Sequence, residues 1–180
     1  FRTVGLDRTF YRPMTREQLA DLADQVPGDF RFLVKAHQAI TRLHELDRKG
    51  GSIGPNPTFL DAAYAAERVI APSVEGLGEK CGPILFQFSP MRLDRSYTAG
   101  RIVDWIGRFL GSLPRGPMYA VELRNPELLT RAYGDALGET GACHCFNIHP
   151  TMPPPDEQAD IVGHKPGPAT ICRWMHSGRF

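Results

Sequence analysis

The sequence predicts an α/β protein built as a (β/α) barrel of the TIM type. Two observations predict it: short apolar runs alternate with helical segments, and polar or charged residues stand at the carboxyl ends of most of these runs. Alternation of this kind is typical of parallel sheets made of βαβ units. Barrels carry their sites at the carboxyl ends of the strands. No glycine-rich turn follows a strand as in a dinucleotide-binding fold, which favours the barrel over an open doubly wound sheet.

The barrel is expected to be incomplete. Six strands are predicted, over residues 1–7, 30–36, 82–88, 119–123, 142–148 and 170–174. A full eightfold barrel usually needs about 250 residues, whereas this sequence has 180. We therefore expect a single domain over 1–180 that lacks the first and the last βα units. The sequence also starts without Met and inside a predicted strand, so we expect the natural N-terminus to lie upstream.

The helices between these strands are predicted from their start and stop signals. Thr15 is a good N-cap with Gln18 three residues later, and Pro27-Gly28 ends that helix. Helices are also predicted over 57–70, 97–110 and 126–137, the last with proline in its tolerated first turn. Residues 50–57 and 152–155, rich in Gly and Pro, are predicted to be loops.

Composition excludes several broad classes of function. Lys and Arg number 21 against 20 Asp and Glu, a net charge of +1, which argues against extensive binding to nucleic acid or membranes. No apolar run is long enough to span a bilayer. The four cysteines are too sparse for a disulfide scaffold and are typical of reduced thiols in a cytoplasmic protein.

The residues at the predicted strand ends carry more cations than carboxylates. In a closed barrel they converge on one mouth, and a cationic mouth suits a small carboxylated or phosphorylated ligand. The set is Asp7, Arg8, Lys35, Gln87, Glu122, Arg124, Asn147, Arg173 and His176. Glu122 is the candidate general acid or base. Lys35 is the second catalytic candidate, as a base or Schiff-base amine, and it could also hold an anion.

The other members are candidate substrate ligands. Arg124 and Arg173 are expected to bind the anion, and Gln87 to orient the substrate, with His176 and Asn147 beside them. Tyr11, after the first strand, could stack on a substrate ring or pack at the rim.

Structural alternatives stand beside these roles. Glu122 and Arg124 also fit a plain ion pair at the rim, and the Lys35 stem could pack while its amine reaches solvent. A buried Arg173 needs a partner, either Glu122 or an anionic ligand.

No metal or cofactor is predicted. The run Cys143-His144-Cys145 places its two thiols on one strand face and the imidazole on the other, so it cannot surround one ion by itself.

Four motifs carry a resemblance to a known family. They are Thr-Phe-Tyr-Arg-Pro at 9–13, Phe-Arg-Phe-Leu-Val-Lys-Ala at 30–36 followed by Ile40-Thr41, Gly-Pro-Ile-Leu-Phe-Gln at 82–87, and Ala-Val-Glu-Leu-Arg at 120–124. In this order the sequence resembles the YecE-like family, bacterial and archaeal proteins filed as a domain of unknown function. The resemblance implies a TIM-type barrel without an established activity, and it places Lys35, Gln87, Glu122, Arg124 and Arg173 at the mouth.

The sequence departs from that family's pattern at several positions. Gly5 and Asp7 stand where the resemblance implies Glu and Asn, Arg42 where it implies His, and Asn147 where it implies Asp. These changes weaken any mechanism that needs two acids.

The first functional hypothesis is an enzyme acting on a small anionic substrate. One alternative is a nucleic-acid-associated barrel resembling metal-dependent endonucleases. Such enzymes need a cluster of metal ligands at the mouth, and the only candidates in this sequence are Glu122, His149 and His176. Another is a non-catalytic ligand-binding or scaffold barrel.

Overall fold

The protein has an α/β fold with a six-stranded parallel sheet. A computed structural model describes residues 1–47, 49–163 and 168–174. The strands of this sheet are β1 (Thr3–Leu6), β2 (Arg31–Lys35), β5 (Cys81–Gln87), β6 (Tyr119–Glu122), β7 (Cys143–Asn147) and β8 (Ile171–Arg173). Their order in the sheet is β1-β2-β5-β6-β7-β8. The α/β class and the six predicted strands are confirmed, and an order that follows the chain is consistent with an incomplete barrel.

The chain divides into two compact units, which are described one by one. The first holds Phe1–Phe86 with Leu113–Met118, and the second holds Gln87–Ser112 with the described residues from Tyr119 onward. The expectation of a single domain over 1–180 stays a prediction.

In the first unit, β2 lies between β1 and β5, with Leu6 beside Val34 and Lys35 beside Leu85. Its helices are α1 (Arg8–Tyr11), α2 (Arg16–Asp24), α3 (Gln38–Thr41), α4 (Ala62–Ala65) and α5 (Ala71–Leu77), with a π-helical segment (Ala66–Ile70) joining the last two. The capping box predicted at Thr15 and Gln18 is present. Helix α2 contacts α5 where a Cβ on Gly76 would lie 2.5 Å from the carbonyl oxygen of Arg16, so only glycine fits.

Two sequence predictions fail in this unit. The predicted loop over 50–57 contains the second strand of an antiparallel hairpin, β3 (His44–Leu46) and β4 (Ser52–Pro55). The helix predicted from residue 57 starts only at α4, because the Asn56 side chain bonds the carbonyl groups of Ala39 and Arg42 and holds the chain in a turn. That helix also continues beyond residue 70, through the π-helical segment into α5.

In the second unit, β7 lies between β6 and β8, with Ala120 beside Cys143 and Asn147 beside Arg173. Its helices are α6 (Ala99–Gly111), α7 (Arg131–Thr140) and α8 (Pro155–Val162), with a 3₁₀ turn (Pro126–Leu128) after β6. The helix predicted from 126 begins later, at α7, where Thr130 is the N-cap.

Helix α8 was not predicted, and it begins at Pro155, the last residue of the predicted loop over 152–155. Among the described residues, no helix is long and apolar enough to cross a membrane.

Candidate anion site

Glu122 is the centre of a buried ionic cluster in the second unit. It is the last residue of β6 and is 0% exposed. One of its carboxylate oxygens, Oε1, accepts from Nε of Arg124 at 2.8 Å and lies 2.6 Å from Nη2 of the same guanidinium. The other, Oε2, accepts from Nη1 of Arg173 at 2.6 Å. A single carboxylate therefore holds two guanidinium groups, one on each oxygen.

Gln87 closes the cluster from the end of β5. Its Oε1 accepts from Nη1 of Arg173 at 2.8 Å and from Nη2 of Arg124 at 3.4 Å. Guanidinium groups are donors only, so the atom facing them must be the amide oxygen. The amide nitrogen of Gln87 consequently points away from the arginines, and it makes no hydrogen bond within the described chain.

Strand geometry explains why these side chains meet. Gln87, Glu122 and Arg173 are the last residues of β5, β6 and β8. The carboxyl ends of parallel strands lie at one edge of a sheet. Arg124 lies two residues beyond the end of β6, and its guanidinium group contacts the Glu122 carboxylate. The hydrogen bond from Phe88 N to Glu122 O (2.8 Å) fixes the register at this edge. The structure thus brings together four of the predicted site residues.

Asn147 lies at the end of β7, but its polar atoms serve the backbone. Its Nδ2 donates to the carbonyl oxygen of Leu123 at 3.2 Å, and its Oδ1 accepts from the backbone N–H of His149 at 3.1 Å. These bonds attach the turn after β7 to the end of β6. The substrate-binding role predicted for Asn147 stays a prediction, and its described contacts give it a structural role.

The same turn contacts Arg124. The hydroxyl of Thr151 lies 2.8 Å from the carbonyl oxygen of Arg124 and 2.7 Å from Nδ1 of His149. Burial lowers the pKa of His149, and the positive charge of Arg124 lowers it further, while the Glu122 carboxylate opposes both effects.

A second polar network lies on the helix side of β7. His144 is completely buried, with Nδ1 3.1 Å from the Tyr133 hydroxyl and Nε2 3.0 Å from Oε1 of Gln158. Gln158 donates through Nε2 to the carbonyl oxygens of Asn147 and Pro153, so its Oε1 must be the acceptor that faces His144.

These contacts fix the proton positions in the network. Burial lowers the pKa of His144, although the bond to Gln158 and the charge of Glu122 raise it. A neutral His144 donates from Nε2 to Gln158 and accepts at Nδ1 from the hydroxyl of Tyr133. Burial also raises the pKa of Tyr133 well above its usual range, which keeps that hydroxyl protonated.

Lys35 and Tyr11 belong to the first unit. Lys35 is buried at the end of β2, with Nζ 3.5 Å from Oδ1 of Asp7 and 4.2 Å from the centre of the Phe10 ring. Tyr11 is 68% exposed at the end of α1 and packs edge-on against Phe10. Their predicted catalytic and substrate-binding roles stay predictions. His176 lies outside the described residues.

Sequence reasoning gave no role in this site to Thr151, Tyr133 or Gln158, and it named His149 only as a candidate metal ligand of the endonuclease alternative. The available signal was the alternation of polar residues after β7, at 147, 149 and 151. Within the described part of the chain, no three His, Cys, Asp or Glu side chains are grouped as a metal site. Cys143 and Cys145 are buried thiols whose pKa values burial raises.

Comparison with known proteins identifies the family. A family model described as a protein of unknown function, DUF72, matches residues 1–179. Two crystal structures of a DUF72 family protein from Enterococcus faecalis have similar folds. One is 18% identical with a TM-score of 0.57, covering 85% of this chain and 59% of that one. The other is 20% identical with a TM-score of 0.59, covering 85% and 54%.

At these identities the likeness concerns the fold alone, and this chain spans little more than half of the Enterococcus protein's length. A comparison with curated proteins finds no match. The match of the family model over nearly the whole sequence means that the chain belongs to the DUF72 family.

Proposed function

We propose that this protein binds a small carboxylated or phosphorylated molecule at the cluster of Gln87, Glu122, Arg124 and Arg173, and that it is an enzyme acting on that molecule. The observation that carries the proposal is the sharing of one buried carboxylate by two guanidinium groups. Because both arginines also bond the amide oxygen of Gln87, their planar donor groups lie close together, and such groups match the oxygens of a carboxylate or phosphate.

The unused donors of the cluster support the same ligand class. Arg124 bonds Glu122 and Gln87 through Nε and Nη2, so its Nη1 is left without a hydrogen-bond partner among the described residues. The amide nitrogen of Gln87 is likewise unused. Carboxylate and phosphate oxygens accept from such donors, and the planar fork of arginine matches both groups.

The contacts of Glu122 support a role as counter-ion and positioning residue for the arginines. Both oxygens accept from guanidinium groups, so a substrate proton would have to displace one of those bonds. The acid or base role predicted for Glu122, and a catalytic role for Lys35, therefore form a separate part of the proposal that needs its own test.

The finer description of the fold also belongs to this proposal. We infer that the sheet is part of a TIM-type barrel and that the YecE-like motifs mark the DUF72 family under another name. The order of the strands and the position of the cluster at their carboxyl ends support this.

A thermal-shift screen with a charge-neutralising variant tests the proposal. The panel holds phosphate, sugar phosphates, organic acids, nucleotides and divalent metals. A ligand at about 100 times its Kd adds about 2.7 kcal/mol to the free energy of unfolding. Gln87→Glu keeps the side-chain size, gives both arginines a second carboxylate and cancels the positive charge of the cluster. We expect one anion class to stabilise the wild type and to lose its effect on this variant.

Arg108→Ala is the matched control, because Arg108 is an exposed arginine paired with Asp104 on α6. This variant should respond to the anion as the wild type does. A response unchanged in Gln87→Glu would place the anion elsewhere, and no response to any anion would favour the scaffold alternative. Stabilisation by metals alone would favour the endonuclease alternative.

A further inference from the structure

The first unit contains an open cleft between helix α3 and the hairpin of β3 and β4. Its volume is about 280 Å³, close to the lower end of the range for small-molecule sites, which is about 300–1,000 Å³. Every residue that lines it belongs to the first unit, so the cleft shares no residue with the cluster around Glu122. The lining includes Gln38, Arg42, Glu45, Leu46, Ile53 and Asn56.

The wall of the cleft formed by α3 is fixed by the segment after β4. Nδ2 of Asn56 donates to the carbonyl oxygens of Ala39 and Arg42 at 2.6 and 2.7 Å. Oδ1 of Asn56 in turn accepts from the hydroxyl of Thr58 at 2.8 Å and from its backbone N–H at 3.0 Å. These bonds hold the backbone of Arg42, the residue that follows α3, in place.

Arg42 and Glu45 bring opposite charges to the cleft but do not pair with each other. Arg42 is half-buried, and its guanidinium group makes no hydrogen bond or ion pair within the described residues. Glu45 is exposed on β3, and its carboxylate also has no such partner in the described chain. The two histidines of the lining, His37 and His44, are both engaged within the protein. A positive and a negative group left unpaired on one cleft match a molecule that carries both charges.

Gln38 adds an unused acceptor to the cleft. Its Oε1 is buried and has no hydrogen-bond partner in the part of the chain that the structure describes. Buried acceptors are normally paired, so one without a donor requires an explanation. The terminal torsion of glutamine is soft. A small rotation would turn this oxygen toward the cleft, where an ammonium group would donate to it.

The hairpin adds an apolar wall. Leu46 of β3 is 43% exposed and Ile53 of β4 is 64% exposed, and both side chains line the cleft. Single exposed apolar residues are normal at a protein surface. Two of them on one cleft, beside unpaired charges, offer contact to an aliphatic group.

We propose that this cleft binds a free amino acid with an aliphatic side chain. Arg42 binds the carboxylate, because the planar fork of a guanidinium group matches its two oxygens. The ammonium group donates to Glu45 and Gln38, and the aliphatic side chain packs against Leu46 and Ile53. This site goes beyond the proposed anion cluster and does not depend on it.

Leucine is the probe, and its binding to the full chain is measured by calorimetry. Three analogues each lack one of its groups: isocaproate lacks the ammonium group, isoamylamine lacks the carboxylate, and glycine lacks the aliphatic side chain. We expect leucine to bind the wild type and each analogue to bind about tenfold more weakly or worse. This series needs no substitution, so it tests the site even if a variant fails to fold.

Arg42→Gln removes the charge that holds the carboxylate and should weaken leucine binding by about tenfold or more. The matched control is Arg16→Gln, which removes an exposed arginine paired with Glu75 in the same unit and should bind leucine as the wild type does. Gln87→Glu, which alters the anion cluster, should also leave leucine binding unchanged.

The outcomes separate the cleft from the anion cluster. Leucine binding that is absent from the wild type, or unchanged in Arg42→Gln, would overturn the site. Leucine binding that is lost in Gln87→Glu would place leucine at the anion cluster and overturn the cleft as its site. Isocaproate that binds as tightly as leucine would overturn the amino acid as the ligand class.

Discussion

Replacing Glu122 by Gln removes the only carboxylate that the described contacts give to the cluster. Each guanidinium–carboxylate pair contributes an attraction of about 4 kcal/mol at 4 Å and an effective dielectric constant of about 20, less the repulsion between the two arginines. Breaking a buried ion pair typically costs about 3–5 kcal/mol. The side chain is 0% exposed, so water cannot replace the lost interactions. We expect Glu122→Gln to lower the free energy of unfolding by about 3–5 kcal/mol. The free energy of unfolding of a whole domain is about 5–15 kcal/mol.

Urea unfolding followed by circular dichroism measures this loss. With a slope of about 2 kcal/mol per molar urea, the midpoint should fall by roughly 2 M. Asp104→Asn is the matched control, because it removes a carboxylate from an exposed pair with Arg108 and should change stability by less than about 1 kcal/mol. A loss below about 1 kcal/mol in Glu122→Gln would refute the counter-ion argument. If that stable variant also lost turnover, the acid or base role would be favoured.

Three further predictions concern the second unit. Gly134→Ala should destabilise the protein by about 1–3 kcal/mol, because its Cβ would lie 2.6 Å from the carbonyl oxygen of Val162 in α8. The control is Gly138→Ala on the same helix, where a Cβ meets nothing within 4 Å and should stabilise the protein by up to about 1 kcal/mol. Urea unfolding measures both changes. Burial lowers the pKa of His144 below its usual 6.5, so as the pH falls the unfolded chain takes up a proton at this residue before the folded protein does. The contribution of His144 to the free energy of unfolding is therefore complete above about pH 6.5 and should decline below it. In His144→Gln the free energy of unfolding should fall less steeply with pH. The exposed thiol of Cys172 should react with a thiol reagent at pH 8 much faster than that of Cys145, whose pKa burial raises; a fast reaction that persists in Cys172→Ser would contradict this.

The sequence was sufficient to predict the strand ends of the candidate site. The predicted strands over 82–88, 119–123 and 170–174 are short and apolar, and each has a polar residue next to its carboxyl end: Gln87, Glu122 and Arg173. Parallel pairing alone then brings those residues to one edge of the sheet, so no knowledge of the helices was required. The two-residue spacing of Glu122 and Arg124 also predicted that they could pair, and they do, although β6 ends at Glu122 and Arg124 lies just beyond it.

The elements that were missed depend on local signals that compete with each other. The hairpin between β3 and β4 has strands of three and four residues, and its turn is closed by Asp47, whose Oδ1 accepts from the backbone N–H groups of Lys49 and Gly51. Its Gly and Pro residues indicate a loop just as well. The prolines before α8 were interpreted in the same way, although Pro155 followed by Asp156 and Glu157 is also a helix start.

The partners of Gln158 and His149 were beyond prediction for a different reason. Each bonds groups brought near by the fold: Gln158 meets the ring of His144 and the carbonyl oxygen of Asn147, and the turn of His149 meets the carbonyl oxygen of Arg124. Neighbours of this kind cannot be inferred from spacing along a strand or helix.

Asn147 joins the two polar networks of the second unit. Its side chain bonds the end of β6 and the turn that carries His149, while its backbone carbonyl accepts from Gln158 on the helix side. Gln158 in turn is bound to the neutral ring of His144, which Tyr133 of α7 also holds. The position of His149 relative to Arg124 is therefore set by strand ends on one side and by α7 and α8 on the other. Because buried and fully bonded networks are rigid, we expect the turn at 147–151 to keep its place against the carbonyl oxygens of Leu123 and Arg124 at the end of β6.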